Sequence, residues 1–219
     1  MKIIACGDSY TLGEGLNKLE QVYAELVAKY FNAELINLSQ SGASEFLITE
    51  QVENAIKQKP DLIIIGHTSE YRWQVRDKRT GWWQGFIVAN WIQKNKKSYK
   101  NWILSEQILD NTRKTPEHFA AWHAAGMLYY SEEKVIRRLW KSAIALQYTI
   151  INNYNINQIH FCCFDHLQKD LECIIINKFI NFPLDKLKHE EFAPDGSHAG
   201  PNLHKLLAKK LINHINQLH

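Results

Sequence analysis

A continuous apolar run, Leu62-Ile63-Ile64-Ile65-Gly66, follows directly after Pro60-Asp61. An apolar run with no polar alternation is typical of a strand that is covered on both faces, as in a parallel sheet flanked by helices. Similar short apolar runs, each predicted as a strand, occupy residues 3–6, 33–38 and 156–164. The run therefore predicts a buried central strand.

Helical apolar spacing fills the intervals between these strands, over residues 19–31, 44–58, 132–153 and 203–215. Ser44 precedes the second of these patterns and is predicted to cap that helix, because a serine hydroxyl accepts hydrogen bonds from the first free amides. Alternating strands and helices predict an α/β fold, an open α/β/α sandwich with a parallel sheet. At 219 residues, one domain spanning 1–219 is expected.

Composition argues against nucleic-acid-binding, disulfide-rich and membrane proteins. A net charge of +3 is too small to predict nucleic-acid binding. The basic run at residues 94–100 is interpreted as a solvated loop, with phosphate contact as the alternative. Four cysteines without a Cys-x-x-Cys pair indicate buried thiols in a reducing compartment. The N-terminal apolar stretch is too short for a secretion signal, so we expect a cytoplasmic protein that neither spans nor binds a membrane.

The stretch from about residue 71 to about residue 130 has a different character. It holds six of the seven tryptophans and shows weak periodicity. We interpret it as an aromatic-rich insertion within the single domain. Its aromatic side chains either line a substrate site or form a small core of their own.

Near the start of the chain, Gly7-Asp8-Ser9-Tyr10 directly follows the first predicted strand. A tight turn at this point lifts the Ser9 hydroxyl to the edge of the sheet, where a nucleophile would lie. The alternative is a serine that caps the next helix. A phosphate loop is excluded, because no Lys-Ser or Lys-Thr follows and the glycine spacing does not match a dinucleotide motif.

At the other end of the chain, Asp195-Gly196-Ser197-His198 precedes the last predicted helix. A serine hydroxyl is a weak nucleophile until a base removes its proton, and His198 is the candidate base. Asp195 is placed to orient the imidazole. The alternative is an ordinary turn before Pro201. These three residues, Ser9, His198 and Asp195, are the predicted catalytic set.

These motifs resemble the blocks of the SGNH or GDSL hydrolase superfamily. Gly7-Asp8-Ser9-Tyr10 is similar to the first block, residues 37–42 resemble the second, and Asp195-Gly196-Ser197-His198 resembles the fifth. The resemblance covers nearly the whole chain except the insertion. It implies a flavodoxin-like α/β/α sandwich and an oxyanion hole to which the amides of Ser9 and Gly42 contribute.

The third block departs from the family pattern. Where the family has Gly-x-Asn, this chain has Gly66-His67-Thr68, so Thr68 stands where the oxyanion asparagine is expected. A threonine hydroxyl donates one hydrogen bond but has a shorter reach. The departure allows a working variant that uses Thr68, a slow enzyme or a fold that only binds. We expect the first.

Position alone suggests substrate contacts at Asp8, His67, Arg72 and Trp73, and Asp8 is also expected to hold the turn. No metal site is expected from the histidine spacing, and no cofactor is predicted. The predicted function is a serine esterase acting through an acyl-enzyme on a small-molecule or carbohydrate ester, plausibly one with short acyl groups. That substrate class is implied by the family resemblance. The alternatives are a silent binding module for carbohydrate or a protein partner, and a flavodoxin-like phosphate- or nucleotide-binding domain.

Overall fold

The computed structural model describes residues 1–70, 72–76, 83–87, 133–164, 167–175, 178–182 and 191–218. Five parallel strands form one sheet in the order β2-β1-β3-β6-β7. The strands in chain order are β1 Lys2–Cys6, β2 Glu34–Asn37, β3 Leu62–His67, β4 Arg72–Arg76, β5 Trp83–Ile87, β6 Asn157–Cys162 and β7 Phe179–Asn181. β4 and β5 pair antiparallel as a separate two-stranded sheet.

Helices cover both faces of the five-stranded sheet. In chain order, the described helices are α1 Ser9–Leu12, α2 Tyr23–Tyr30, α3 Glu45–Lys57, α4 Glu133–Asn153, α5 Gln168–Ile174 and α6 Pro201–Leu218. The three-layer parallel α/β/α sandwich predicted from the sequence is confirmed. Among the described residues, no helix is long and apolar enough to cross a membrane.

The apolar runs of the central strands are explained by these two helical layers. Alternate side chains of β1 point to opposite sides, so Ile3 packs in the cluster with α2 and α6 while Ile4 packs in the cluster with α3. β3 is buried along its whole length. Each fully buried aliphatic side chain of this kind contributes about 1.5–3 kcal/mol to burial free energy.

The predicted helix over residues 19–31 is shorter in the structure. A 3₁₀ turn, Leu19–Gln21, comes first, and α2 begins only at Tyr23. Val22 separates them because its backbone is extended, with φ −66° and ψ 137°. By contrast, the predicted cap of α3 is confirmed, since Ser44 Oγ accepts a hydrogen bond from the Leu47 amide at 3.4 Å.

Some elements escaped the sequence analysis. The short helix α5 and the three-residue strand β7 were not predicted, and the hairpin β4–β5 lies inside the segment interpreted as an insertion of weak periodicity. The side chains of the six tryptophans in that segment lie outside the described residues, so their role stays a prediction. Of the cysteines, Cys6, Cys162 and Cys163 are buried free thiols, whereas Cys173 is exposed.

All five strands are parallel, so their carboxyl ends meet at one rim, where ligands bind in folds of this kind. α3 fixes the first turn at this rim. The side-chain oxygen of Gln51 accepts a hydrogen bond from the Gly7 amide at 2.7 Å, and its nitrogen donates to the Gly7 carbonyl at 3.1 Å. The loop after β2 adds a third contact, from the Gln40 amide to the same carbonyl at 3.1 Å.

Candidate active site

Ser9 is the first residue of α1, immediately beyond the rim. Asp8 caps the helix, because its Oδ1 accepts a hydrogen bond from the Tyr10 amide at 3.0 Å. The alternative in which Ser9 itself caps a helix is therefore wrong. Among the described residues, the Ser9 amide and hydroxyl have no hydrogen-bond acceptor, and the residue is 2% exposed. Neither group is therefore tied to another described residue, and their action on a ligand stays a prediction.

The turn before α6 brings Asp195 and His198 together. Asp195 Oδ1 accepts hydrogen bonds from the amides of Ser197 and His198, each at 3.0 Å, and Oδ2 lies 2.6 Å from His198 Nδ1. Bonds from the Ser197 amide, the His198 ring and the His198 amide hold the pKa of Asp195 well below its usual range. Asp195 is therefore an ionised acceptor, so Nδ1 of His198 carries a hydrogen and Nε2 is left as the basic nitrogen.

Several contacts link this turn to the loop that carries Ser9. A Cβ built on Gly15 would lie 2.5 Å from Asp195 Oδ2, so only glycine allows this approach, and its φ of +83° also favours glycine. The Tyr10 ring meets the His198 ring edge-on, with centroids 5.7 Å apart. The fold thus brings residues from opposite ends of the chain to one side of the rim.

The basic nitrogen of His198 faces a second carboxylate. Its Nε2 lies 3.7 Å from Glu14 Oε2, and that oxygen also accepts a hydrogen bond from Ser41 Oγ. Within the described part of the chain, no hydrogen bond joins His198 to Ser9 Oγ. Glu14 was not identified from the sequence, because a single acidic residue between two glycines carries no signal of its own.

Gly42 lies in the exposed loop after β2, near the Ser9 turn. Its φ of +69° is a left-handed conformation that glycine adopts without strain, and its amide has no acceptor among the described residues. The predicted oxyanion amides of Ser9 and Gly42 are therefore both unoccupied. Their action on an oxyanion stays a prediction.

Thr68 is fully buried, and all of its polar groups are engaged. Its hydroxyl donates to Asp8 Oδ2 at 2.9 Å, its amide donates to Glu45 Oε2 at 3.3 Å, and its carbonyl accepts from Trp140 Nε1 at 3.0 Å. The hydroxyl has one proton to donate. The predicted oxyanion role would require that proton to turn away from Asp8.

Asp8 pairs with Arg72 as well as with Thr68. Arg72 Nη1 lies 2.8 Å from Asp8 Oδ2. Burial raises the pKa of Asp8 from its ordinary value, while Arg72, Thr68 and the Tyr10 amide oppose that rise. The expected turn-holding role of Asp8 is confirmed by its bond to the Tyr10 amide. Asp8 is 3% exposed as a residue, and the predicted substrate contacts of Asp8 and Arg72 stay predictions.

The other two predicted contact residues differ in placement. His67 is buried, and its ring nitrogens lie 2.9 Å from Glu45 Oε1 and 2.9 Å from His160 Nδ1, so both already have partners inside the protein. The side chain of Trp73 lies outside the described residues. In the part of the chain that the structure describes, no group of three or more His, Cys, Asp or Glu side chains is arranged so that it could hold a metal ion.

Sequence reasoning also missed the side chains behind Thr68. Glu45 on α3 and Trp140 on α4 hold its amide and its carbonyl, although the two helices are far apart in the sequence. Tyr10 was identified only as part of the motif, although its ring contacts His198. No spacing in the sequence points to these contacts, because they depend on how the helices lie over the sheet.

No protein-family model and no curated protein sequence matches the chain. Solved structures do match it in fold. An esterase, EstA, from Pseudoalteromonas sp. is 12% identical, with a TM-score of 0.55, covering 99% of this chain and 97% of that one. A protein from Desulfitobacterium hafniense, described as lipolytic and of the G-D-S-L family, is 11% identical, with a TM-score of 0.55 and coverage of 97% and 98%.

An acetyl xylan esterase from the rumen bacterium Butyrivibrio proteoclasticus is 17% identical, with a TM-score of 0.55. The match covers 99% of this chain and 64% of that one. At these identities the similarity shows a shared fold. The resemblance proposed from the sequence motifs is therefore confirmed at the level of the fold.

Proposed function

We propose that this chain is a serine esterase that cleaves a carboxylic ester through Ser9, His198 and Asp195. The observation that carries the proposal is the 2.6 Å contact between Asp195 Oδ2 and His198 Nδ1 at the rim where Ser9 begins α1. An ionised carboxylate on Nδ1 leaves Nε2 as a base, and an activated serine needs such a base. The esterases among the structures of the same fold support this assignment.

The first step forms an acyl-enzyme. Ser9 Oγ attacks the ester carbonyl while His198 Nε2 takes the hydroxyl proton, and Asp195 stabilises the resulting imidazolium. The negative charge moves to the carbonyl oxygen, where the free amides of Ser9 and Gly42 donate to it. The C–O bond of the ester then breaks, and His198 returns the proton to the leaving alcohol. No metal is needed for any of these steps.

The second step releases the acid. Water attacks the acyl carbonyl, and His198 Nε2 accepts its proton. The bond to Ser9 Oγ then breaks, and the proton passes from His198 to that oxygen. The carboxylic acid leaves, and the free serine and neutral imidazole are restored. Glu14 must move away from Nε2, or remain beside it as a second acceptor, when Ser9 makes its hydrogen bond.

For the substrate, we propose a short acyl group on a sugar or a similar polar alcohol. An acetyl xylan esterase and a two-domain esterase active on acetylated mannans are among the structures that share the fold. The aromatic residues of segment 71–130 would supply rings for a sugar to stack on in the first of their two predicted roles, the lining of a substrate site.

A silent binding module is the second candidate. Two observations favour it: His198 Nε2 faces Glu14, with no hydrogen bond to Ser9 among the described residues, and Thr68 replaces the family's asparagine with its proton already donated to Asp8. Loss of one oxyanion donor lowers turnover by about 10²- to 10³-fold. Such a protein would bind a carbohydrate or a protein partner without turning over an ester.

The deciding experiment is intact-mass analysis after exposure to a fluorophosphonate, which traps an activated serine. Wild type is compared with Ser9→Ala, His198→Ala and the control Ser142→Ala. Ser142 is an exposed serine of α4, so the Ser142→Ala protein should be labelled like wild type if the reagent reacts only with an activated serine. One adduct in wild type, lost in Ser9→Ala and His198→Ala, is expected. A folded wild type without an adduct would overturn the esterase proposal and favour the binding module.

The substrate class is tested separately. Initial rates on p-nitrophenyl acetate, butyrate and octanoate compare the length of the acyl group. Release of acetate from acetylated xylan tests whether the alcohol can be a sugar. A preference for acetate together with release from xylan is the expected outcome. Higher kcat/KM on octanoate, with no release from xylan, would contradict the proposed class while leaving the esterase assignment intact.

A further inference from the structure

A row of buried polar side chains runs from the Ser9 turn across the sheet. It begins with Asp8 and Thr68, joined at 2.9 Å, and continues from the Thr68 amide to Glu45 at 3.3 Å. His67 lies 2.9 Å from Glu45 and 2.9 Å from His160. The proposed chemistry uses neither Glu45 nor the two histidines. Groups of this kind are costly to bury unless every proton has a defined acceptor.

The far end of the row fixes the direction of the hydrogen bonds. Gln158 Nε2 donates to the Tyr148 carbonyl at 3.2 Å and to Asn152 Oδ1 at 2.8 Å. A backbone carbonyl only accepts, so the nitrogen of the Gln158 amide must face it and the oxygen must face His160. His160 Nε2 lies 2.8 Å from that oxygen and therefore carries a hydrogen.

The two histidines then follow in order. Burial lowers the pKa of His160 well below its ordinary value, and the neighbouring His67 and Lys178 act in the same direction. His160 is thus neutral, and its Nδ1 is an acceptor. His67 Nε2 must donate to it. One proton remains to be placed, between His67 Nδ1 and Glu45 Oε1.

The surroundings of Glu45 suit a buried anion. Its Oε1 also accepts from Gln147 Nε2 at 2.9 Å, and its Oε2 accepts from the Thr68 amide. Glu45 is the first residue of α3, where the helix dipole favours negative charge. These donors hold the carboxylate in one orientation, and through it they hold the end of β3.

We propose that Glu45 is a positioning residue, sharing one buried proton with His67 and holding Thr68 against Asp8, which in turn fixes the Ser9 turn. The inference rests on the proposed esterase function. In this proposal, the buried row of Glu45, His67 and His160 supports the segment Gly66-His67-Thr68, in which threonine replaces the family's asparagine. Because Glu45 is 2% exposed, its proposed action on the site runs through Thr68 and Asp8.

The kinetic test compares Glu45→Gln with Glu53→Gln. Glu53 lies on the exposed side of the same helix and makes the matched change of charge without touching the row. A glutamine at position 45 turns an N–H toward the Gln147 donor and removes the shared proton. We expect kcat and the rate of Ser9 labelling to fall about tenfold or more, because small displacements of a nucleophile are costly, while KM changes little.

Labelling of Glu45→Gln at the rate of Glu53→Gln would overturn the inference while leaving the esterase proposal in place. If wild type is not labelled at all, the esterase proposal itself fails. Should Glu45→Gln not fold, Gln147→Leu removes one donor from the same carboxylate at similar volume. Its kcat is expected to fall at unchanged KM, and an unchanged kcat would count against the positioning role.

The proton arrangement is tested on the wild-type protein by ¹⁵N spectra of its histidine rings at pH 7, assigned with His160→Gln and His198→Ala. His160 is expected to carry its proton on Nε2 alone, with a proton also on His67 Nε2. A proton on His160 Nδ1 would overturn the shared-proton arrangement. This measurement needs no activity, so it separates the row from the esterase chemistry.

Discussion

The Glu14 carboxylate lies 3.7 Å, Oε2 to Nε2, from the His198 imidazole, on the ring nitrogen opposite the one that Asp195 holds at 2.6 Å. His198 thus has an acidic partner at both nitrogens. His198 Nε2 takes the Ser9 proton only through a hydrogen bond from Ser9 Oγ, and the Glu14 carboxylate occupies the space beside that nitrogen. Glu14 therefore opposes the base that the proposed chemistry needs.

Glu14→Ala is expected to raise kcat/KM by about two- to fivefold, the range of a partly exposed side-chain contact, because it leaves the space beside His198 Nε2 to Ser9. Initial rates of ester hydrolysis at pH 7 measure this. Glu20→Ala, the same change at an exposed position elsewhere, is the control. Lower activity would instead assign Glu14 a supporting role through Ser41.

Asp195→Asn tests the orienting carboxylate. The asparagine oxygen still accepts the amides of Ser197 and His198, so the turn should persist. Its NH₂ group then faces His198 Nδ1 and selects the tautomer whose Nε2 carries the hydrogen. We expect kcat to fall by about 10³- to 10⁴-fold with little change in melting temperature. Full activity in a folded Asp195→Asn protein would remove Asp195 from the mechanism.

Thr68→Val and Thr68→Ser separate the hydroxyl from the side-chain shape. Valine keeps the volume but removes one of the donors to Asp8 Oδ2, whereas serine keeps the hydroxyl that makes the 2.9 Å bond. We expect Thr68→Ser to stay within a few-fold of wild type and Thr68→Val to lose about 10²-fold in kcat, whether the hydroxyl holds Asp8 or turns to an oxyanion. Equal kcat in wild type and Thr68→Val would exclude both roles.

The fold was largely predictable because local patterns encode it. Most of β3 is a run of aliphatic residues, which is typical of a strand buried on both faces. Ser44 caps α3 where the sequence predicted it. The candidate catalytic residues were identified for a different reason, since Ser9 and His198 each lie in a short motif, and their catalytic role stays a prediction. The contact of Gly15 with Asp195, which joins the two ends of the chain, follows only from the tertiary structure.

The interior of the site was not predictable from patterns. Glu45, His67 and His160 come from α3, β3 and β6, and their partnership depends on the parallel register that sets His67 opposite Cys162. His67 was interpreted as a substrate contact because it precedes Thr68. A two-residue period places neighbours on opposite faces of a strand, and the sequence alone did not show that the His67 side chain lies in the buried interior.

The ion pair between Arg72 and Asp8 is expected to stabilise the folded protein. Arg72→Gln leaves a buried carboxylate without its cation, and we expect a loss of about 3 kcal/mol in the free energy of unfolding at pH 7. Burial raises the pKa of Asp8, and removing Arg72 lets it rise further. The unpaired charge therefore disappears as pH falls, so the loss should shrink at pH 5.

Urea unfolding at both pH values measures this loss. The double variant Asp8→Asn with Arg72→Gln removes both charges and is expected to recover much of the stability lost by Arg72→Gln alone. An equal loss at pH 7 and pH 5 would show that Arg72 stabilises by packing and not by charge.

His204 gives a second pH dependence, away from the catalytic set. Its Nδ1 accepts the Tyr23 amide at 3.2 Å, its ring stacks on Tyr23, and burial lowers its pKa to about 4. In the unfolded chain His204 binds a proton below pH ~6.5, whereas in the folded protein it binds one only near pH 4 and below. Stability from this group is thus present at neutral pH and is lost on acidification, at no more than about 1.4 kcal/mol per pH unit.

His204→Asn keeps an oxygen acceptor for the Tyr23 amide and removes the titrating ring. We expect it to be less stable than wild type at pH 7, because the stacked ring is lost, but to lose less stability between pH 6.5 and 4.5. Urea unfolding at four pH values gives the two slopes. Other groups, including His160, titrate alike in both proteins, so the difference between the slopes reports His204 alone. Parallel slopes would mean that His204 is protonated in the folded protein, with its bond from the Tyr23 amide broken.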